Sequence, residues 1–284
     1  ENSMLLFVAP AGSLVGTING VRVQVIDDNL DGIYGSEPKG WAYVGCRDGF
    51  FQNDVDSVVV GESKVARPWS RLQKIGEAWF ELLPNEAGTD ILVTPAAVQG
   101  GTLQLDMKGL NAPWVLVRGM GEDNKDLVFD LVNGGTNKVE VPAGTYELFA
   151  GLVSSGSKAQ MMKSLILPAK NARTWKVGAG ATTKIELGAP FSIDFAFTQD
   201  ENTVTVEGPS LAVVGRGGET YQRMWNCVLA PEVNLRKAGQ SKGRKEKRLV
   251  PVGSQEDLEV QKFDFKTAWF PIGVPIDKPM PGEK

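Results

Sequence analysis

Val21-Arg22-Val23-Gln24-Val25-Ile26 runs directly into Asp27-Asp28-Asn29-Leu30-Asp31-Gly32. In the first half, Val21, Val23 and Val25 fall at every second position with Arg22 and Gln24 between them. An extended chain turns such a pattern into one apolar and one polar side, whereas a helix needs its apolar residues three and four apart. The stretch is expected to be a β-strand that enters an acidic bend. In that bend Asp27, Asn29 and Asp31 occupy alternate positions, which in a tight turn converge on one point, and Gly32 permits the sharp change of direction. Oxygen ligands gathered in this way suit Ca²⁺, a hard cation that takes several oxygens.

The spacing invites comparison with the EF-hand loop, D-x-[DN]-x-[DN]-G-x₅-E, and departs from it twice. The position of the bidentate Glu is held by Pro38, with Glu37 one residue early, and a strand stands where the EF-hand requires a helix. What remains is a strand-flanked D-x-N-x-D-G loop that draws its last ligand from farther along. Asp54 and Asp56, in Phe51-Gln52-Asn53-Asp54-Val55-Asp56, are the candidates. Two readings stand side by side. In one, Asp27, Asn29, Asp31, Asp54 and Asp56 hold a structural Ca²⁺. In the other, the Asp and Asn side chains bond their own backbone as an Asx-rich turn, with Gly32 at positive φ. The neighbouring Trp41-Ala42-Tyr43 offers Trp41 and Tyr43 as a stacking surface for a ligand such as a sugar, or as the edge of a core.

Outward from this segment, short apolar or alternating runs recur between clusters of Gly, Pro, Asn and Asp, without a sustained 3.6-residue period. The chain is expected to be all-β, with tandem sandwich domains over residues 1–98, 99–189 and 190–284. Strands are expected over 4–8, 21–26, 57–60, 72–75, 78–83 and 90–93 in the first unit, a sandwich or partly closed barrel. Pro95 and the pair Gly100-Gly101 interrupt the pattern before Thr102-Leu103-Gln104-Leu105-Asp106-Met107 restarts it. The second unit is expected to carry strands over 113–118, 127–132, 138–141, 146–153, 161–167, 173–177 and 183–187. Within it, Val141-Pro142-Ala143-Gly144-Thr145-Tyr146 resembles the V-P-x-G-x-Y turn of carboxypeptidase-regulatory-like and prealbumin-like modules. That resemblance implies a transthyretin-like or immunoglobulin-like sandwich, a secreted setting, and a Tyr146 that packs inward at a tight corner. The third unit opens with Phe191, Ile193, Phe195 and Phe197 on one side of an expected half-buried strand, and continues through 203–206, 211–214, 221–229, 232–235, 248–252 and 258–265. The proline-rich tail from Pro271 to Pro281 is expected to be extended or frayed.

Composition narrows the chemistry. The 284 residues contain no His, which removes the commonest general base, the commonest transition-metal ligand, and both Ser-His-Asp and Cys-His triads. Two cysteines, Cys46 and Cys227, cannot build a Cys₄ zinc site. A bridge between them would have to cross from the first unit to the third, and Cys227 sits in an apolar run that suits an inert thiol. With 30 basic against 34 acidic side chains, the net charge of −4 gives no general drive towards nucleic acid. No apolar stretch reaches the roughly 20 residues of a membrane span, and Glu1 to Val8 lacks the basic start of a signal peptide, as expected of a mature form or of a trimmed chain. Arg236, Lys237, Lys242, Arg244, Lys245, Lys247 and Arg248 form a basic run without interleaved aromatics, which reads as a solvated hairpin loop.

The functional expectation is a non-catalytic, secreted or periplasmic protein that scaffolds, adheres or binds a ligand. Its partner would be an extracellular or cell-envelope protein or a glycan, and one Ca²⁺ would stabilise the first unit. The competing reading is a carboxylate-dependent glycoside hydrolase, or an accessory region of a larger secreted enzyme, using Asp54 with Asp56 or Glu77 with Glu81.

Overall fold

The computed structural model describes residues 12–36, 40–42, 52–125, 127–157, 161–169, 173–225, 232–237, 239–248 and 272–275. The described residues form β-strands joined by turns and by the short 3₁₀ segments Asn133–Gly135 and Gly208–Ser210, so the chain is all-β as its periodicity predicts. Among them no helix is long and apolar enough to cross a membrane. The expected strands over 4–8 and 258–265 lie outside the described residues, as do Glu37, Pro38, Tyr43, Cys46 and Cys227.

The largest sheet is antiparallel. It runs in the order Val128–Asp130, Asn111–Met120, Gly144–Ser155, Met162–Leu167, Thr220–Trp225, Ala212–Val214, Ser192–Asp194, with Thr174–Val177 also paired to Gly144–Ser155. Over one face lies a three-stranded sheet, Lys138–Pro142, Gly100–Lys108, Thr182–Gly188, whose last two strands are parallel. Two further sheets come from the amino-terminal part. One is Leu14–Ile18, Val21–Ile26, Ser57–Val60, Arg67–Pro68, and the other Leu72–Ile75, Ala78–Pro84, Ile91–Ala96.

Side-chain alternation explains how these layers stack. From the central strand Asn111–Met120, Val115 and Val117 enter a core with Leu103, Leu105, Val141, Ile185 and Leu187 of the overlying sheet. Leu116, between them, points the other way into a core with Val23, Val25, Val58, Ile75 and Leu82. Phe129 and Val128 divide in the same manner. The central sheet is therefore buried on both faces, which is why Trp114-Val115-Leu116-Val117 reads as a continuous apolar run instead of an alternating one. At about 25 cal/mol per Å² of apolar surface, sealing both faces is the dominant stabilising term of this part of the chain.

Packing and pairing cross the positions at which the sequence pattern breaks. Trp79 and Leu72 join the core built by residues beyond 98, and the main sheet continues past residue 189 into the strands 192–194, 212–214 and 220–225. The corner at Pro142-Ala143-Gly144 carries the chain from the three-stranded sheet into the main one. Tyr146 turns inward there, is fully buried, and donates its hydroxyl to the Pro142 carbonyl at 2.8 Å. Burial pushes its phenol well above the ordinary tyrosine range.

One strand expectation is corrected. The alternation from Phe191 to Phe197 belongs to two short strands in different sheets, Ser192–Asp194 and Phe197–Gln199, and neither is half-buried. Phe191, Ile193, Phe195 and Phe197 are 45, 59, 45 and 58% exposed. Alternation identified an extended conformation but not what lies against it, because a side chain is buried only where a second layer arrives. The basic run also gains structure: Arg244–Arg248 pairs with Glu232–Leu235 as a hairpin, in which Arg244 bonds Glu246 and Lys245 reaches Glu232 at 2.7 Å. In the tail, Ile272–Pro275 pairs with Thr203–Val206 as the outer strand of its sheet, the position in which a proline is tolerated.

Candidate functional site

Val21–Ile26 is a strand with Val23 and Val25 buried, and it delivers the chain into the acidic bend at Asp27. The bend is organised by its own side chains. Asp27 accepts the backbone N–H of Asp31 at 3.2 Å on one oxygen and that of Gly32 at 3.0 Å on the other. Asn29 Oδ1 accepts the Asp31 N–H at 3.0 Å, and Asp31 Oδ1 accepts that of Ile33 at 2.9 Å. The Asn29 amide donates to Ser36 Oγ at 2.9 Å and to Asp31 Oδ2 at 3.3 Å. Gly32 stands at φ 85°, the left-handed conformation that glycine adopts without steric cost. These are the bonds of an Asx-rich turn.

Beneath the bend lies Asp56, which is fully buried. Its carboxylate accepts the N–H of Asp28 at 3.1 Å on Oδ1, and those of Gly35 at 2.7 Å and Ser36 at 3.3 Å on Oδ2. Its carbonyl accepts the Trp69 N–H at 2.6 Å. Burial pushes the Asp56 carboxyl up to about 6, against the pull of the amides, and the negative charge of Asp27 adds to the rise. Asp28 is tied in by the Ser57 hydroxyl, which donates to its Oδ2. Gly35 closes the arrangement: it stands at φ 84°, and a Cβ there would lie 2.6 Å from the Trp69 ring, so only glycine lets the loop lie flat on that indole.

The structure thus brings Asp27, Asn29, Asp31 and Asp56 to one loop. Asp54 lies in the strand Gln52–Asp54 opposite Gly40, and Trp41 pairs with Asn53 in the same ladder. Among the described residues, no group of three or more His, Cys, Asp or Glu side chains is placed to hold a metal ion by itself. The loop donors suit Ca²⁺ in kind, since all are oxygens of carboxylates or an amide. Three of the carboxylates considered for hydrolysis have other partners. Glu81 meets Arg71 at 2.5 Å, Glu77 lies 3.6 Å from Lys74, and Asp56 holds three backbone amides.

Two further buried carboxylates escape sequence reasoning. Asp130 accepts the N–H groups of Val115 and Val132, each at 3.0 Å, and of Asn133 at 3.2 Å; burial raises its pKa. A signal was present, because Asp130 interrupts Leu127-Val128-Phe129-Asp130-Leu131-Val132, and a charge inside an apolar run must find partners. Glu219 accepts the N–H of Gly188 at 2.7 Å, that of Gly217 at 3.0 Å and the Tyr221 hydroxyl at 2.6 Å. Burial and the bond to this carboxylate together raise the Tyr221 phenol. Nothing in Arg216-Gly217-Gly218-Glu219 announces that role. Comparison with protein-family models, with curated proteins and with solved structures returns no match.

Proposed function

We propose that this chain is a non-catalytic β-scaffold of the secreted or periplasmic space that binds an extracellular or cell-envelope protein or a glycan, with one Ca²⁺ stabilising the loop that begins at Asp27. The observation that carries the metal reading is electrostatic. Asp27, Asn29, Asp31 and Asp56 are gathered at one bend, and Asp56 is held near pKa 6 by burial and by the charge of Asp27. A divalent cation at the bend offsets that crowding, because an opposite charge nearby favours the ionised carboxylate. Asp27, Asn29 and Asp31 would hold the ion, with Asp56 beneath them. The setting rests on the resemblance of the Val141 to Tyr146 turn to secreted modules.

Ligand stabilisation follows RT ln(1 + [L]/Kd), so Ca²⁺ at about 100 times its Kd raises stability by roughly 2.7 kcal/mol. Calorimetry of the full chain in EDTA and in excess Ca²⁺ is expected to show a higher melting temperature with the ion and no shift in Asp31→Ala. An identical melt in both buffers removes the metal from the proposal. A glycan array with Trp41→Ala as control tests the carbohydrate branch, which requires a signal lost in the variant.

A further inference from the structure

We infer that the strand Ser192–Asp194 pairs antiparallel with the same strand of a second copy of this chain, so that the apolar run from Phe191 to Phe197 is covered in a two-fold dimer. This surface shares no residue with the acidic loop and does not depend on the calcium reading.

Ser192–Asp194 is the last strand of the main sheet: one edge pairs with Ala212–Val214, and among the described residues no strand pairs with the other. Phe197–Gln199 is likewise the outer strand of its sheet. Every residue from Pro190 to Asn202 is exposed, the large apolar side chains of Phe191, Ile193, Phe195 and Phe197 included. Phe191 is nonetheless held in place, edge to face against the buried Tyr221 ring with centroids 5.1 Å apart, and Phe195 lies 6.4 Å from Phe197. An open strand edge offers a row of backbone donors and acceptors, which proteins ordinarily blunt with proline or charge. The outer strand Ile91–Ala96 carries Pro95 in that role, whereas Phe191 to Gln199 holds no proline and a single charge, Asp194.

Area and register favour a second copy. At roughly 200 Å² for a large side chain, four that are about half exposed present about 400 Å² of apolar surface. A stable interface takes roughly 800 Å² from each partner, of which about 57% is apolar, so this run supplies most of the apolar area that a dimer needs. A two-fold axis at Ile193 sets that residue against itself, Phe191 against Phe195 of the second copy, and Ser192 against Asp194. Opposed residues of an antiparallel pair share a face, so the apolar run continues from one copy into the next, while the Ser192 hydroxyl gains a carboxylate to donate to. Charge fixes the register. An axis at Asp194 would oppose two carboxylates, and an axis at Ser192 would oppose Asp194 to Pro190, which has no N–H to give.

The test is sedimentation equilibrium of the full chain in EDTA. Interfaces of standard size bind in the micromolar range or tighter, so the wild type at about 100 μM is expected to be mostly dimeric. Ile193→Lys opposes two ammonium groups at the axis and is expected to weaken the dimer at least tenfold while keeping the wild-type circular dichroism, since Ile193 is exposed. Ser192→Lys acts in the opposite direction: each new ammonium faces Asp194 of the other copy, and the dimer is expected to tighten several-fold at low salt and to lose that gain at high salt. Should Ile193→Lys fail to fold, Ser192→Lys decides alone. Mild oxidation of Ile193→Cys is expected to yield a 193-to-193 disulfide, identified by mass spectrometry, and Glu201→Cys none between the copies. A wild type that stays monomeric overturns the inference and leaves the run to a different protein or to another segment of this chain. A dimer indifferent to Ile193→Lys, or one that Ser192→Lys fails to tighten, overturns it as well.

Discussion

Asp56 and Asp130 are both buried carboxylates, and each accepts three backbone N–H groups. Their surroundings differ. Asp130 lies in the central sheet, between Val115 on the neighbouring strand and the turn at Val132 and Asn133, where both sheet faces are covered by core. Asp56 lies at the margin, tying a surface loop to the amino-terminal sheet, with Asp27 as a like-charged neighbour. The same chemistry therefore stabilises the whole in one place and a local feature in the other. What separates them is how much structure depends on the amides they hold.

The comparison breaks first at Asp130. Asp130→Ala strands two buried N–H groups and one part-buried one, at roughly 1 to 3 kcal/mol for each buried group, and is expected to cost about 4 kcal/mol in urea unfolding followed by tryptophan fluorescence. Asp56→Ala is expected to act locally instead. Amide exchange should accelerate at Asp28, Gly35 and Ser36 while the central strands keep their protection. A loss of protection across Asn111–Met120 in that variant would erase the distinction.

A subtler contrast lies in pH. An acid whose folded pKa is raised stays protonated in the native state after the unfolded chain has ionised, so stability falls as pH rises from the unfolded value towards the folded one. For Asp56 the window runs from about 4 to about 6, and a shift of some two units corresponds to roughly 3 kcal/mol. Below the window the group contributes nothing, and above it the loss is complete. Asp56→Asn is expected to remove this component of the pH dependence of urea unfolding; an unchanged slope between pH 4 and 6 assigns it to other groups. Calcium stabilisation, which needs the ionised loop, is expected to be larger at pH 7 than at pH 5.

The smallest expected effect concerns neither carboxylate and serves as a ruler for both. Tyr146→Phe keeps the buried ring and removes one hydroxyl that donates to the Pro142 carbonyl. A cost of about 1 kcal/mol is expected in the same urea series, the value of a single hydrogen bond. A cost as large as that of Asp130→Ala would show that the corner contributes far more than its bond.

Much of the strand inventory is legible in the chain. Ser57–Val60, Leu72–Ile75, Thr203–Val206 and Glu232–Leu235 fall where alternation and turn residues put them. Leu14–Ile18 was missed because Gly16 and Thr17 dilute its apolar pattern, and it is a strand through pairing with Val21–Ile26. Arg67–Pro68 is too short to show a period and also exists by pairing, with Ser57 and Val58. At the acidic bend, the roles of Asp27, Asn29 and Asp31 follow from spacing. That Asp56 joins them depends on Ser57–Val60 lying beside Val21–Ile26.

By itself the sequence determined the extended conformation, the bends and the absence of any histidine chemistry, since these depend on residue type and on neighbours within a few positions. Tertiary structure alone decided which apolar faces were covered, leaving Phe195 and Phe197 open while sealing both sides of Val115-Leu116-Val117. It also decided which charges found partners: Asp56, Asp130 and Glu219 are satisfied by amides that come from distant segments. The physical reason is common to both. Burial and charge pairing are properties of what arrives from distant parts of the chain, and a period of two residues carries no record of that arrival.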